Sequence, residues 1–114
     1  AAIFERGKNW TEAIKNFSQA IVHTDKKNSN RLARLYNNRG TIYGQLDDFN
    51  KAIIDFDQAI SYKVDFVDGY CNRAFAKYKS GQINEAMVDC DRALQIEPGH
   101  EKAMMIKEMI RNKR

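Results

Sequence analysis

Residues 52–60 read AIIDFDQAI, and residues 86–94 read AMVDCDRAL, the same pattern 34 positions further on. A third version, AIKNFSQAI, occupies residues 13–21, 39 positions before the first. Each copy places Ala, a larger residue four positions later, and Ala three positions after that. Steps of four and three return to one face of a helix. The alanines let a neighbouring helix come close, and the larger residue fills the space beyond them. A recurrence at a fixed period of 30-odd residues describes stacked supersecondary units rather than one closed core.

Each of these helices follows another. Residues 32–45, LARLYNNRGTIYGQ, carry Leu32, Leu35, Tyr36, Gly40 and Tyr43 along one side. Residues 67–79, VDGYCNRAFAKYK, repeat the Tyr-x-Asn-Arg signature 34 positions on. Between the helices of a pair the chain must turn. Gly81 suits the left-handed conformation that ends a helix. Asp47 holds the same place one repeat earlier and tolerates that conformation better than most residues. In the first copy Lys8, beside Gly7, is expected there. Five extra residues near DKKNSNRLA lengthen the first junction. Asn28, Ser29 and Asn30 are good N-cap types, so the next helix is expected to begin about a turn early. After Pro98-Gly99 a last helix is expected over about 100–112. Its apolar side draws on Ala103, Met104, Ile106 or Met105, Met109 and Ile110.

Two antiparallel helices with a period of 34 resemble the tetratricopeptide repeat. The resemblance extends to single residues. The second copy matches the family pattern with Tyr36, Gly40, Tyr43, Ala52, Phe56 and Ala59, departing at Arg39 and Val64. The third matches with Tyr70, Ala86, Ala93 and Pro98, departing at Ala74, Lys77 and Cys90. The first is incomplete, with Phe4 at a tyrosine place and then Ala13, Phe17 and Ala20. The resemblance covers nearly the whole chain and implies an all-α, right-handed α-solenoid of antiparallel helix pairs. As a single domain, 1–114, it would comprise an incomplete repeat at 1–27, repeats at 33–66 and 67–99, and a capping helix at 100–113. The expected core is Ala13, Phe17, Ala20, Ala52, Phe56, Ala59, Ala86, Cys90 and Ala93.

Arg39 and Arg73 stand where the family usually has leucine, so each needs a compensating charge. Arg39 lies eight residues before the turn residue Asp47, and Asp55 lies eight after it. Arg73 and Asp89 flank Gly81 in the same way. Equal distance from the turn of a helical hairpin means adjacency. The pairs Arg39–Asp55 and Arg73–Asp89 are therefore expected, worth about 1 kcal/mol or less each if exposed.

The resemblance also implies a concave groove lined by the first helix of each repeat. That assigns Arg34, Asn37, Asn38, Thr41 and Gln45 to it from the second copy. Asn72, Phe75, Tyr78 and Lys79 follow from the third, with Asp68 and Cys71 beside them. An asparagine amide offers one acceptor and two donors, which suits a peptide backbone. Phe75 and Tyr78 offer apolar surface, and Arg6, Arg34 and Lys79 could attract acidic groups. One subfamily clamps a terminal carboxylate. Asn38 matches its pattern, but Asp68 and Asn72 replace its third-repeat cations, its first-repeat positions have no counterpart in this sequence, and Asp68 would repel a carboxylate, so a carboxylate clamp is disfavoured. The expected function is a scaffold that binds a protein or peptide in the groove. Self-association, through the methionine-bearing last helix or the truncated N-terminal face, is the alternative.

Composition sets limits on other chemistries. The 114 residues carry 19 Lys and Arg against 15 Asp and Glu, net +4. The basic residues are mixed with acids except in the tail, so nucleic acid is disfavoured as a partner. Cys71 and Cys90 form no spaced Cys/His set, so no metal or cofactor is expected. Cys90 reads as a buried residue and Cys71 as partly exposed. His23 and His100 read as exposed helix-end residues outside any nucleophile–base arrangement, and no Gly-rich phosphate loop is present, so no enzyme is expected. No apolar run approaches a membrane span. A cytoplasmic setting fits, but the abrupt start AAIFERGKNW reads as a piece of a longer protein, so the absence of a signal carries little weight.

Overall fold

A computed structural model describes the backbone of residues 2–113 and the side chains of residues 9–112. The side chains of Phe4, Arg6, Lys8, Lys113 and Arg114 lie outside the described residues. Six helices follow one another: α1 (Ala2–His23), α2 (Ser29–Gln45), α3 (Phe49–Tyr62), α4 (Val67–Lys79), α5 (Ile83–Ile96) and α6 (Glu101–Lys113). The described residues contain no strand. The chain is all-α and solenoid-like.

The turn chemistry acts as its residues require. Asn28 caps α2, its side chain accepting from the Arg31 amide at 3.2 Å, and α2 starts four residues ahead of the 34-residue register. Asp48 caps α3 in the same way through the Lys51 amide at 3.3 Å. Asp47 and Gly81 both take positive φ, 60° and 88°. The turn expected at Lys8 does not form. A lysine gains nothing from the left-handed conformation that Asp47 and Gly81 adopt, and α1 runs without a break from Ala2 to His23.

Consecutive helices pack against each other throughout, and α2 also touches α4, as α4 touches α6. Among the described residues the odd-numbered helices do not touch one another. The even helices therefore converge while the odd helices splay, which bends the array toward the even side. The body is 20 Å thick, two helix diameters.

The motif alanines make the close approaches. Ala52, Ala59, Ala86 and Ala93 are fully buried, with Phe56 and Cys90 between them. At Gly40 an added Cβ would fall 2.7 Å from Cε1 of Phe56, so only glycine lets α2 lie on that ring. The Tyr70 hydroxyl donates to the Val64 carbonyl at 2.9 Å and ties the junction where the family pattern has proline. The first copy differs. Ala13, Phe17 and Ala20 are only half-buried, contrary to the expected core, because α1 packs against α2 alone among the described residues. Cys71 is also a correction: it is fully buried, not partly exposed, under α5 and α6.

Candidate functional site

The two predicted ion pairs frame the site. Arg39 grips Asp55 through Nε and Nη2 at 2.8 and 2.7 Å, and Arg73 grips Asp89 with the same two distances. Asp55 is 2% and Asp89 3% exposed, so these are buried forks rather than surface pairs. The hydrogen bonds that Arg39 donates to Asp55 hold its pKa above the ordinary value despite burial. Burial alone would lower Arg73, but Asp89 and Asp57 outweigh it and raise its pKa.

Each arginine also reaches back to the preceding repeat. Arg73 Nη1 meets Asp57 Oδ1 at 2.8 Å, and Arg39 Nη1 meets Ser18 Oγ at 3.0 Å. Lys107, 34 residues after Arg73, meets Asp91, 34 residues after Asp57, at 2.7 Å. A ladder of cations thus runs along the array and sets one repeat on the next. The sequence reading found its in-repeat rungs and missed the cross-repeat ones, although the 34-residue spacing of Asp57 and Asp91 was a usable signal.

On the even-helix side an open cavity of about 400 Å³ lies between α2, α4 and α6. From α2 it is lined by Thr41, Gly44 and Gln45, and from α4 by Asn72, Phe75 and Ala76. The α2–α3 turn adds Asp47, and Phe49 and Phe56 of α3 close the floor. The third wall is α6, through Lys102, Met105, Ile106 and Met109. The sequence reading assigned α6 to a cap, yet α6 repeats α4 with the same 34-residue offset and stands where a further first helix would.

A polar thread crosses this side. Asn72 Nδ2 donates to Asn37 Oδ1 at 2.9 Å, and Lys102 Nζ donates to Asn72 Oδ1. Each amide is thereby oriented, and the ammonium keeps further donors for a ligand. Lys102 is exposed and Asn37 is buried. The cavity's side-chain polar groups are a hydroxyl, two amides, a carboxylate and an ammonium, with no histidine or cysteine in the lining.

Of the residues assigned from sequence, Thr41, Gln45, Asn72 and Phe75 meet at this cavity. Arg34 and Asn38 are exposed on the α2 stripe that continues to Thr41 and Gln45, but outside the lining. Asn37 acts from below, through Asn72. Tyr78 is half-buried against the core of the third repeat. Lys79 is exposed, with Nζ 5.8 Å from the centre of the Phe75 ring. Asp68 also lies outside the lining; its Oδ1 is 3.9 Å from His100 Nε2.

His100 corrects a further expectation. It is half-buried, and its Nδ1 accepts from the Ala103 amide at 3.3 Å, with Cys71 Sγ 3.7 Å away. It therefore caps the helix that carries Lys102 and Met105. Burial pushes the Cys71 thiol to about 11 and the Cys90 thiol to about 12, so both are inert as nucleophiles near neutral pH. No group of three or more potential metal ligands occurs among the described residues. No helix among them is long and apolar enough to cross a membrane.

Comparison with known proteins is consistent along the chain. The family model for the tetratricopeptide repeat matches residues 33–65 and 67–100, more than half the sequence. The STIP1 homolog of Dictyostelium discoideum is 34% identical over 95 residues, 83% of this chain and 16% of that protein. FlbA of Caulobacter vibrioides is 33% identical over 79 residues, 69% of this chain and 13% of its own length. The chain thus spans less than a fifth of these two relatives. Among solved structures, the second TPR domain of human RPAP3, in complex with the HSP70 peptide SGPTIEEVD, superposes with a TM-score of 0.82 at 27% identity. The match covers 96% of this chain and 87% of that one. The Arabidopsis OM64 TPR domain superposes with a TM-score of 0.83 at 26% identity, over 96% of this chain and 87% of that one.

Proposed function

The chain belongs to the tetratricopeptide repeat family, and from that premise we propose that the cavity between α2, α4 and α6 binds an extended acidic peptide segment of a partner protein. The observation that carries this reading is the Lys102–Asn72–Asn37 thread. It holds an ammonium over an otherwise apolar wall before any ligand arrives, so little ordering entropy remains to be lost on binding. A carboxylate of the ligand takes the free donors of Lys102, a charge-assisted contact. The Thr41 hydroxyl and the Gln45 amide serve the ligand backbone. Phe75, Met105 and Met109 accept an apolar side chain, and methionine adapts to its shape. The peptide bound by the human RPAP3 domain ends in two glutamates, a valine and an aspartate, which is the same chemistry.

The test is calorimetric titration of the peptide SGPTIEEVD, and of a version with its acids replaced by amides. The wild-type protein binds the acidic form at least tenfold more tightly. Lys102→Ala removes most of that difference, while Arg34→Ala, outside the lining, leaves most of it. Equal binding of the two forms, or no loss with Lys102→Ala, would refute the reading.

A further inference from the structure

The cavity has a second charged group, and it sits on a backbone that glycine would adopt more easily. Asp47 lines the cavity at φ 60°. Its equivalent one repeat later, Gly81, takes φ 88° without a side chain, and Gly99 behaves likewise at 86°. A left-handed conformation is unfavourable for a residue with a Cβ, and aspartate merely tolerates it. Residues held in such conformations concentrate where a side chain has a task. Among the described residues Asp47 has no ion-pair partner; the nearby Lys51 lies 3.9 Å from Asp48 instead. An unpaired carboxylate at one end of a cavity and an ammonium at the other give that cavity a direction.

Resting on the peptide-binding reading above, we infer that Asp47 reads a basic residue of the ligand. The occupant is then a segment carrying an acidic group, a bulky apolar residue and a lysine or arginine in that order, running from Lys102 to Asp47. The repeat register sets the spacing. Lys102 Nζ contacts Asn72, which is level with Asn38, nine residues before Asp47. At 1.5 Å per residue that is about 14 Å along the helices. The lateral step from α4 to α2, about 9 Å between axes, lengthens the path. The two charges of the ligand are therefore about four or five extended residues apart. Gly44 leaves open space between them, since an added Cβ there meets nothing within 4 Å. That space accommodates the apolar side chain.

The experiment uses peptides with a fixed acidic residue and a leucine. Lysine or glutamine is placed four or five positions from the acid, on either side. Binding is measured at low and high salt to the wild-type protein, Asp47→Asn and Asp47→Gly. In one of the two orders the lysine peptide binds the wild-type protein about three- to tenfold more tightly than its glutamine twin, and salt reduces the gain. Asp47→Asn abolishes the gain. Asp47→Gly abolishes it too while raising the melting temperature, because the turn loses its strain. If the glutamine peptides bind but lysine adds nothing, or if the gain survives in Asp47→Asn, Asp47 has no such role and the acidic-peptide reading stands. If no peptide of either kind binds, both readings fall together.

Discussion

The segments AIKNFSQAI of α1 and AIIDFDQAI of α3 are nearly the same word, and the molecule treats them differently. In α3 the alanines are fully buried and Phe56 is 3% exposed, because α2 lies on one side and α4 on the other. In α1 the same positions are half-buried, and among the described residues α1 packs against α2 alone. The motif specifies which face of a helix can be buried. The number of neighbours determines whether it is buried. In a solenoid, stability is a sum over interfaces, so a helix with one interface contributes less than a helix with two.

The largest expected effect that tests this contrast is at the aromatic position. Phe56→Ala should destabilise by about 3–5 kcal/mol, the range for a buried aromatic. Phe17→Ala, at the equivalent half-buried place, should cost about 1–2 kcal/mol. Chemical denaturation of both variants decides it, and equal losses would mean that α1 is packed as fully as α3.

Next comes the ion-pair position. Asp89→Ala leaves a half-buried Arg73 with only Asp57, and also strands Lys77, whose Nζ is 3.3 Å from Asp89. Breaking a buried pair on one side is costly, here about 2–4 kcal/mol. Asn16 holds the equivalent place in α1 and is exposed. Asn16→Ala should stay within about 0.5 kcal/mol.

The smallest effect runs the other way. Ser18 occupies in α1 the cross-repeat rung that Asp57 and Asp91 occupy further along. Ser18→Asp should complete the rung to Arg39 and stabilise by roughly 0.5 kcal/mol, less at high salt. A destabilised Ser18→Asp protein would mean that α1 does not share the register of the other repeats.

The third repeat carries a pH signature of its own. The Cys71 and Cys90 thiols are raised by burial from an ordinary 9.0 to about 11 and about 12. With folded values above unfolded ones, their contribution is intact below pH 9 and lost as pH rises through 11 and 12. Denaturation midpoints should therefore fall above pH 9, and less so in a Cys71→Ala/Cys90→Ala protein.

How much was legible in the sequence varied with the range of the interaction. The helix pairs, the Asp47 and Gly81 turns and the Arg–Asp forks all follow from local patterns counted from a turn. The burial of Cys71 was not legible, because it depends on α5 and α6 closing over it. Nor was the place of Lys102. Its helix reads as a polar cap by composition, and only its stacking on α4 turns that lysine toward Asn72. Arg34 and Asn38 show the reverse case, since their helical face is right but the cavity lies further along it.

The amino-acid sequence by itself determined the repeat, the face each helix can bury and the charge pairs inside each hairpin. Period, side-chain size and distance from a turn are local quantities, and they are written along the chain. Only the tertiary structure decided which copies of the motif are fully buried, which residues share the cavity, and that its ammonium comes from the last helix. Those depend on the curvature of the stack, which arises because, among the described residues, α4 touches both α2 and α6 while the odd helices do not touch one another.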